Sequence, residues 1–244
     1  MNQEWIHLET VSSTNSYLSQ LARENPSGHE VVVVAEFQSN GKGQGANSWF
    51  SDPGENLLMS VLLYPEFLSA SDQFNLSVMT SLAICDLVRS AVKDPVIKWP
   101  NDILVRTGKM AGILIENSII SGRLSNTVIG IGLNVNQGRF PVFPWKATSL
   151  ARETGKRYDP AELAADLARI LLEKYVLLKE RREEMLREAY LEHLYLLDRP
   201  AMYRAGEEVF QGIIRGISPY GELLVEKKGR VRPYGMDTLR LEPM

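Results

Sequence analysis

Residues 98–102 are Lys-Trp-Pro-Asn-Asp, and residues 108–114 follow as Gly-Lys-Met-Ala-Gly-Ile-Leu. The apolar run that ends at Trp99 predicts a short strand that stops at Pro100, because proline cannot donate to a sheet ladder. Residues 102–105 and 109–117 then predict a hairpin around Thr107-Gly108. Lysines and small polar side chains therefore lie at the end of a strand, where binding and catalytic residues are often presented.

A second unusual run is found upstream, where residues 41–49 are Gly-Lys-Gly-Gln-Gly-Ala-Asn-Ser-Trp within a polar stretch, 38–54, that predicts a long loop. Its alternate glycines let the backbone approach a ligand closely, and successive N–H groups can bind phosphate. Lys42 adds a mobile positive charge. The run is not a Walker A loop, and no helix begins at its end as a dinucleotide-binding fingerprint requires. A flexible surface loop is the alternative interpretation.

Several residues around the hairpin are candidates for a site, and some of them also have a purely structural interpretation. Lys98 alternates with apolar neighbours and is predicted to point into a cavity. Asn101 and Asp102 could bind hydroxyls, a magnesium ion or an amine, or could simply form an Asx turn. Lys109 alone would be an ordinary exposed lysine. Gly112, in the middle of a strand, indicates a close approach by a ligand.

Two further segments carry polar side chains at the ends of predicted elements. Residues 12–15, Ser-Ser-Thr-Asn, predict a helix cap or a cluster of neutral donors and acceptors suited to an amide or ureido group. Residues 130–136, Gly-Ile-Gly-Leu-Asn-Val-Asn, predict a strand thinned by glycines. That strand could support a flat ring and bond it through Asn134, or it could pack closely against a helix.

Composition limits the class of protein. The chain has 244 residues, 44% of them apolar, and a net charge of −3, so it can form a sizeable core and has no bulk basic character for nucleic acid. Its one cysteine, Cys85, excludes a disulfide framework and fits a reducing compartment. The three histidines fit no metal-ligand spacing. No signal peptide or membrane-spanning run is evident, so we expect a cytoplasmic protein that does not bind a membrane.

The order of the elements predicts an α+β fold. Strands and helices interleave without a regular βαβ period, which favours a mixed sheet with helices packed on it. A single long helical region is predicted over residues 159–197. From residue 201 short strands separated by turns predict a small β-barrel. We expect two domains, 1–198 and 199–244.

Taken jointly, these segments resemble the biotin protein ligases, the biotin–[acetyl-CoA-carboxylase] ligases. The resemblance runs in order along nearly the whole chain, and the Lys-Trp-Pro-Asn-Asp run followed by Lys-x-x-Gly is highly specific. It implies a catalytic domain of the class II synthetase-like type and a carboxy-terminal SH3-like barrel. It also implies a reaction in which ATP and Mg²⁺ activate biotin to biotinyl-5′-AMP, followed by transfer to a lysine of the biotin carrier domain of a carboxylase.

The resemblance also implies roles for individual residues. Lys109, Lys42 and Lys98 would act on the developing charge and the phosphates as catalytic residues. The biotin site would comprise Ser13, Thr14, Asn15, Gln38, Gly41, Lys42, Gly43, Gln44, Lys109 and Gly112. The ATP site would comprise Trp49, Lys98, Asn101, Asp102, Gly132, Asn134 and Ser149. No metal ligand is implied.

Two departures from the family pattern change the expectations. Family members often have Gly-Arg-Gly-Arg where this chain has Gly41-Lys42-Gly43-Gln44, which lacks the forked guanidinium groups and one charge. Some bacterial members carry a helix-turn-helix before the catalytic domain. Here the first strand is predicted from about Gln3, so we expect no sequence-specific DNA binding.

Two questions stay open from the sequence, the function and the oligomeric state. A non-catalytic biotin-binding sensor is the alternative function, and a lipoate or octanoate ligase or transferase is a weaker one because that group lacks the Lys-Trp-Pro-Asn-Asp run. A homodimer is possible, since the family contains monomers and sheet-paired dimers.

Overall fold

A computed structural model describes residues 4–24 and 28–242. The predicted start of the first strand at Gln3 lies outside these residues, as does most of the predicted helix end at residues 26–28. No helix in the described ranges is long and apolar enough to cross a membrane.

The first part of the chain forms the predicted mixed sheet, which has seven strands. Its strands are β1 (Glu4–Val11), β2 (Val31–Gln38), β3 (Leu57–Leu63), β4 (Val96–Lys98), β5 (Asp102–Val105), β6 (Gly108–Ile120) and β7 (Arg123–Leu133). Their order is β1-β2-β3-β7-β6-β5-β4. The β1–β2 pair is parallel and the others are antiparallel.

Helices cover both faces of this sheet. On one face α1 (Thr14–Glu24) packs through Leu18 and Ala22 against a small apolar cluster. On the other face α2 (Phe74–Arg89), α4 (Pro160–Lys179) and α5 (Glu183–Glu192) enclose the main core. A short helix, α3 (Leu150–Thr154), comes immediately before α4 in the chain. Because alternate valines of β2 enter the two clusters, its continuous apolar run is buried on both faces.

The prediction of one helix over 159–197 is wrong. The chain breaks between α4 and α5 at residues 180–182, where Arg181 has a φ of 59°. A left-handed residue cannot continue a right-handed helix. The break allows α5 to fold back so that Leu186 and Tyr190 reach the core. Residues 193–199 then lead out of the helix into the next sheet.

The second sheet begins at Pro200, close to the predicted boundary. It is antiparallel in the order β11-β10-β9-β8-β12, with β8 (Pro200–Ala205), β9 (Glu208–Ile217), β10 (Leu223–Lys227), β11 (Arg230–Tyr234) and β12 (Arg240–Leu241). It rests on the first part of the chain at the turn 218–221. There the indole Nε1 of Trp99 donates to the carbonyl of Gly221 at 2.9 Å.

Candidate active site

A small cavity lies on the α1 face of the large sheet. Its volume is about 50 Å³. Its walls are the start of α1, the end of β2 with the loop that follows it, the middle of β3, the first half of β6 and the end of β7. The lining residues are Ser13, Thr14, Asn15, Gln38, Lys42, Gly43, Gln44, Trp49, Met59, Asn101, Lys109, Gly112, Ile113, Leu114, Gly130, Ile131 and Gly132. The structure therefore brings together residues from all the segments that the sequence had marked.

One end of the cavity is neutral and polar. Ser13 occupies the N-cap position of α1, since its carbonyl accepts the N–H of Tyr17 at 3.0 Å. The next residue, Thr14, donates its backbone N–H to Gln38 Oε1 at 2.8 Å and lies with its hydroxyl 3.1 Å from the same oxygen. Thr14 and Asn15 are each only 3% exposed. This end can therefore recognise a polar, uncharged group.

The middle of the cavity is a flat surface made by two glycines. Gly112 and Gly132 are paired across β6 and β7. A Cβ at Gly132 would lie 2.4 Å from the ring of Trp49, and one at Gly112 would lie 2.9 Å from it. The indole therefore lies directly on the backbone of both strands. Its Nε1 is buried and has no hydrogen-bond partner among the described residues.

At the other end of the cavity Lys109 belongs to a charged cluster, which lies beside the cavity and is organised around one carboxylate. Asp102 lies 2.6 Å from Lys109 Nζ and 3.0 Å from Lys98 Nζ, through different oxygens. The aspartate is 8% exposed. The ammonium of Lys98 also lies over the ring of Trp145, 4.7 Å from its centroid. Two lysines thus share one negative charge, which leaves a positive excess for an anionic ligand.

The loop of residues 41–49 is closed into a hairpin, which the sequence did not predict. Trp49 N–H donates to Gly41 O at 2.9 Å, Gly43 N–H donates to Asn47 O at 2.8 Å, and Lys42 pairs with Ser48. The tip touches the second sheet region, where Gln44 Nε2 lies 3.7 Å from Met236 Sδ. The hairpin places the Trp49 indole on the glycine surface.

Some predicted site residues do not line the cavity. They are Gly41, Lys98, Asp102, Asn134 and Ser149. Lys98 points to Asp102 rather than into the cavity. Asn134 is 3% exposed and donates to Thr148 O at 2.9 Å and Lys109 O at 3.3 Å. Ser149 is buried, caps α3 and donates to Gln137 O at 2.7 Å.

Three contributors to the site were missed from the sequence. Ser60 lies on β3 beneath Thr14 and Asn15, and Glu116 lies on β6 beside Asn15. Trp145 comes from the loop after β7. A buried serine in the otherwise apolar strand Leu57–Leu63 was the available signal for Ser60, because a polar group there needs a partner.

The described residues contain no group of three or more histidine, cysteine, aspartate or glutamate side chains arranged to hold a metal ion. Asp102, the buried carboxylate of the site, has both oxygens engaged by lysines.

Comparison with known proteins places these observations in a family. Residues 7–134 match the model of the biotin/lipoate A/B protein ligase family. The chain is 31% identical over 238 residues to the bifunctional ligase/repressor BirA of Escherichia coli, covering 93% of this chain and 70% of that protein. It is 29% identical over 233 residues to the biotin–[acetyl-CoA-carboxylase] ligase of Mycobacterium tuberculosis, covering 93% and 85%.

The fold is also that of a solved structure. The biotin protein ligase from Aquifex aeolicus in complex with biotin and ATP superposes with a TM-score of 0.82, at 24% identity and with 99% of each chain covered. The mixed sheet with its packed helices, followed by the small antiparallel sheet, is therefore the biotin ligase architecture.

Proposed function

The chain belongs to the biotin/lipoate A/B protein ligase family, and we propose that it is an ATP-dependent biotin protein ligase. One observation carries the proposal: a single cavity joins neutral polar groups, Thr14 and Gln38, to two lysines, Lys42 and Lys109. Biotin has the matching polarity, with an uncharged ureido ring at one end and a carboxylate at the other. Its thiophane and alkyl chain would lie along the apolar wall between them.

In the first step the biotin carboxylate oxygen attacks the α-phosphorus of ATP. A C–O–P bond forms, the bond to the β-phosphate oxygen breaks, and pyrophosphate leaves. Negative charge accumulates on the α-phosphate oxygens during this attack. Lys109, held at 2.6 Å by Asp102, and Lys42, carried by the hairpin, would stabilise that charge. The paired position of Lys109 spares the enzyme the entropy of ordering it during the reaction.

The nucleotide would occupy the region around the glycine surface. Trp49 offers an aromatic face for adenine. Because Gly132 has no side chain, the indole of Trp49 can lie directly against the strand. Asn134 and Ser149 would shape this region by holding the strand end and the following segment together. Asn101, which lines the cavity, would meet the ribose and phosphates, and Lys98 would add its positive charge from its position beside Asp102. A cavity of about 50 Å³ is too small for such ligands, so the hairpin of residues 41–49 must move when they enter.

In the second step a lysine amine of the acceptor attacks the carbonyl carbon of the mixed anhydride. An amide bond forms, the carbon–oxygen bond to the phosphate breaks, and AMP leaves. We take the acceptor to be the biotin carrier domain of a carboxylase. Asp102 would orient the incoming amine. Closure of the hairpin would keep water from hydrolysing the adenylate before the amine arrives.

Magnesium would enter with ATP rather than occupy a site of protein ligands. Mg²⁺ usually keeps several waters and is bound through substrate phosphates and one or two carboxylates. The described residues present no three-ligand cluster, so no step above depends on a protein-held ion. We also propose that residues 1–198 form the catalytic domain and residues 199–244 an SH3-like domain.

The test compares Lys109→Ala with a control, Lys93→Ala, at an exposed position after α2. We expect biotin-dependent ATP–pyrophosphate exchange to fall about 100-fold or more in Lys109→Ala, the usual cost of removing one transition-state donor. The control should retain exchange, and calorimetry should show that wild type binds biotin. Biotin binding without exchange in wild type would favour a sensor, and absence of biotin binding would refute the proposal.

A further inference from the structure

The side chain of Asn15 is held in one orientation by its neighbours. Its Nδ2 donates to the carbonyl of Leu114 at 3.2 Å and to Glu116 Oε2 at 2.8 Å. Both partners can only accept, so the nitrogen must face them and Oδ1 must face the other way. Both amide hydrogens are therefore used within the protein. The ligand can meet only the oxygen of Asn15.

Ser60 completes the arrangement from below. Its Oγ lies 2.7 Å from both Asn15 Oδ1 and Thr14 Oγ1, and the residue is 0% exposed. A hydroxyl has one hydrogen. Asn15 Oδ1 can only accept, so it takes the hydrogen of Ser60. The Thr14 hydroxyl hydrogen is then left for Gln38 Oε1 at 3.1 Å or for Ser60 Oγ.

We propose that Ser60 and Glu116 are positioning residues that give the neutral end of the cavity its hydrogen-bond pattern. Glu116 and the Leu114 carbonyl accept the two amide hydrogens of Asn15, and Gln38 or Ser60 accepts the hydroxyl hydrogen of Thr14. The two side chains can then offer the ligand only lone pairs. The donors that face the ligand are then Ser13 and Gln38. The inference rests on the proposed function, because it describes how the same cavity would distinguish its substrate.

This pattern matches a cyclic urea. Each ring N–H needs an acceptor, which Thr14 and Asn15 supply, and the ring carbonyl needs donors, which Ser13 and Gln38 supply. A lipoyl or octanoyl group has no N–H to offer and would leave the remaining lone pairs of Asn15 Oδ1 and Thr14 Oγ1 without a donor. An unpaired buried polar group costs enough to discriminate strongly between ligands. Glu116 and Ser60 would thus contribute to substrate choice without touching the substrate.

The first experiment compares Glu116→Leu with Glu116→Gln in steady-state ATP–pyrophosphate exchange. Leucine removes the acceptor for Asn15, whereas the glutamine carbonyl can still accept its N–H. We expect KM for biotin to rise about tenfold in Glu116→Leu, since one partly buried hydrogen bond is lost, and to stay near wild type in Glu116→Gln. KM for ATP should change little in either. The control is Glu9→Leu, at an exposed position on β1.

A second pair of variants tests the orientation of the amide itself. Asn15→Asp places a carboxylate against Glu116 and should abolish biotin binding through like-charge repulsion. Adding Glu116→Gln supplies a donor to that carboxylate and should restore part of the binding. A merely structural role for Glu116 predicts no such rescue. Ser60→Ala should also raise KM for biotin, whereas Ser125→Ala, which removes an exposed hydroxyl bonded to Ser118 O, should not.

Each outcome bears on one claim. Equal rises in KM for biotin and for ATP in Glu116→Leu, or an unchanged KM for biotin, would overturn the positioning role. Absence of rescue in the Asn15→Asp, Glu116→Gln pair would do the same even if Glu116→Leu failed to fold. Wild type without biotin-dependent exchange would instead refute the proposed function.

Discussion

At the scale of single residues, three glycines on the paired strands β6 and β7 shape the cavity. A Cβ at Gly130 would lie 2.1 Å from Asn15 Oδ1, so this glycine makes room for the asparagine of α1. Gly112 and Gly132 make room for Trp49 instead. The sequence predicted that a strand with few side chains would support a flat ring, and Gly132 does so. In this conformation the ring is the indole of Trp49.

Gly130→Ala should disable the neutral end of the cavity. The added methyl group cannot fit at 2.1 Å from Asn15 Oδ1, so the amide must turn and lose its bonds to Ser60 and Glu116. We expect biotin affinity to fall about tenfold or more by calorimetry, the cost of one or two buried hydrogen bonds. The matched control is Gly138→Ala, because a Cβ at Gly138 meets nothing within 4 Å. Wild-type affinity in Gly130→Ala would contradict the geometry.

At this scale the sequence could indicate polar residue types but not their pairing. The family resemblance implied that Thr14, Asn15 and Gln38 belong to one site, and they line one cavity. The sharing of Asp102 by Lys98 and Lys109 was not foreseen, because it depends on how β4, β5 and β6 align. Glu116 was missed because its partner Asn15 lies far away in the sequence, on another element.

At the scale of elements, local patterns predicted the strands well and the interruptions poorly. The hairpin around residues 107–108 was predicted from alternation, which is a local signal. The strand β2 is a run of β-branched residues, which also favour strands locally. The break between α4 and α5 rests on Arg181 in a left-handed conformation. Such a position usually takes glycine or asparagine, so no residue type marked it.

The hairpin of residues 41–49 is the element on which retention of the adenylate should depend. Its tip residue Gln44 lines the cavity and contacts Met236, so an added charge there reaches both the ligand and the second sheet region. Gln44→Arg would restore a guanidinium that can bind phosphate through two parallel bonds. We expect slower release of biotinyl-5′-AMP, measured by stopped-flow or chase from the preformed complex.

The effect should exceed that of Gln44→Lys, which adds the charge without the forked geometry. An off-rate equal to wild type in Gln44→Arg would mean that the tip does not meet the phosphate.

At the scale of the whole molecule, the two sheets are joined by polar contacts at one turn. Arg187 of α5 donates to Asn75 Oδ1 at 2.8 Å and to the carbonyls of Ser218 and Pro219 at 3.1 and 2.6 Å. Burial lowers the pKa of this guanidinium, and the negative charges of Asp72 and Glu183 act in the opposite direction. The same turn receives the Trp99 indole N–H. The small sheet is thus attached directly beside the Lys98–Asp102 run.

Stability of the whole chain should fall in alkaline solution. Burial raises the pKa of the Cys85 thiol to about 12, and burial raises that of Tyr203 to about 12 as well. In the unfolded chain these groups lose their protons near pH 8.5 and pH 10, about the values for exposed side chains. Between those values and 12 the folded state holds protons that the unfolded state has released. The free energy of unfolding must therefore decrease as the pH rises.

The decrease should begin near pH 8.5 with Cys85 and reach at most about 1.4 kcal/mol per pH unit for that group. Urea unfolding at pH 8.0, 9.0 and 10.0 measures it. Cys85→Ala removes the group that titrates first. Between pH 8 and 10 the free energy of unfolding of this variant should therefore fall less steeply than that of wild type, by at most about 1.4 kcal/mol per pH unit. An identical pH dependence in the two proteins would show that the thiol ionises as readily in the folded chain as in the unfolded one.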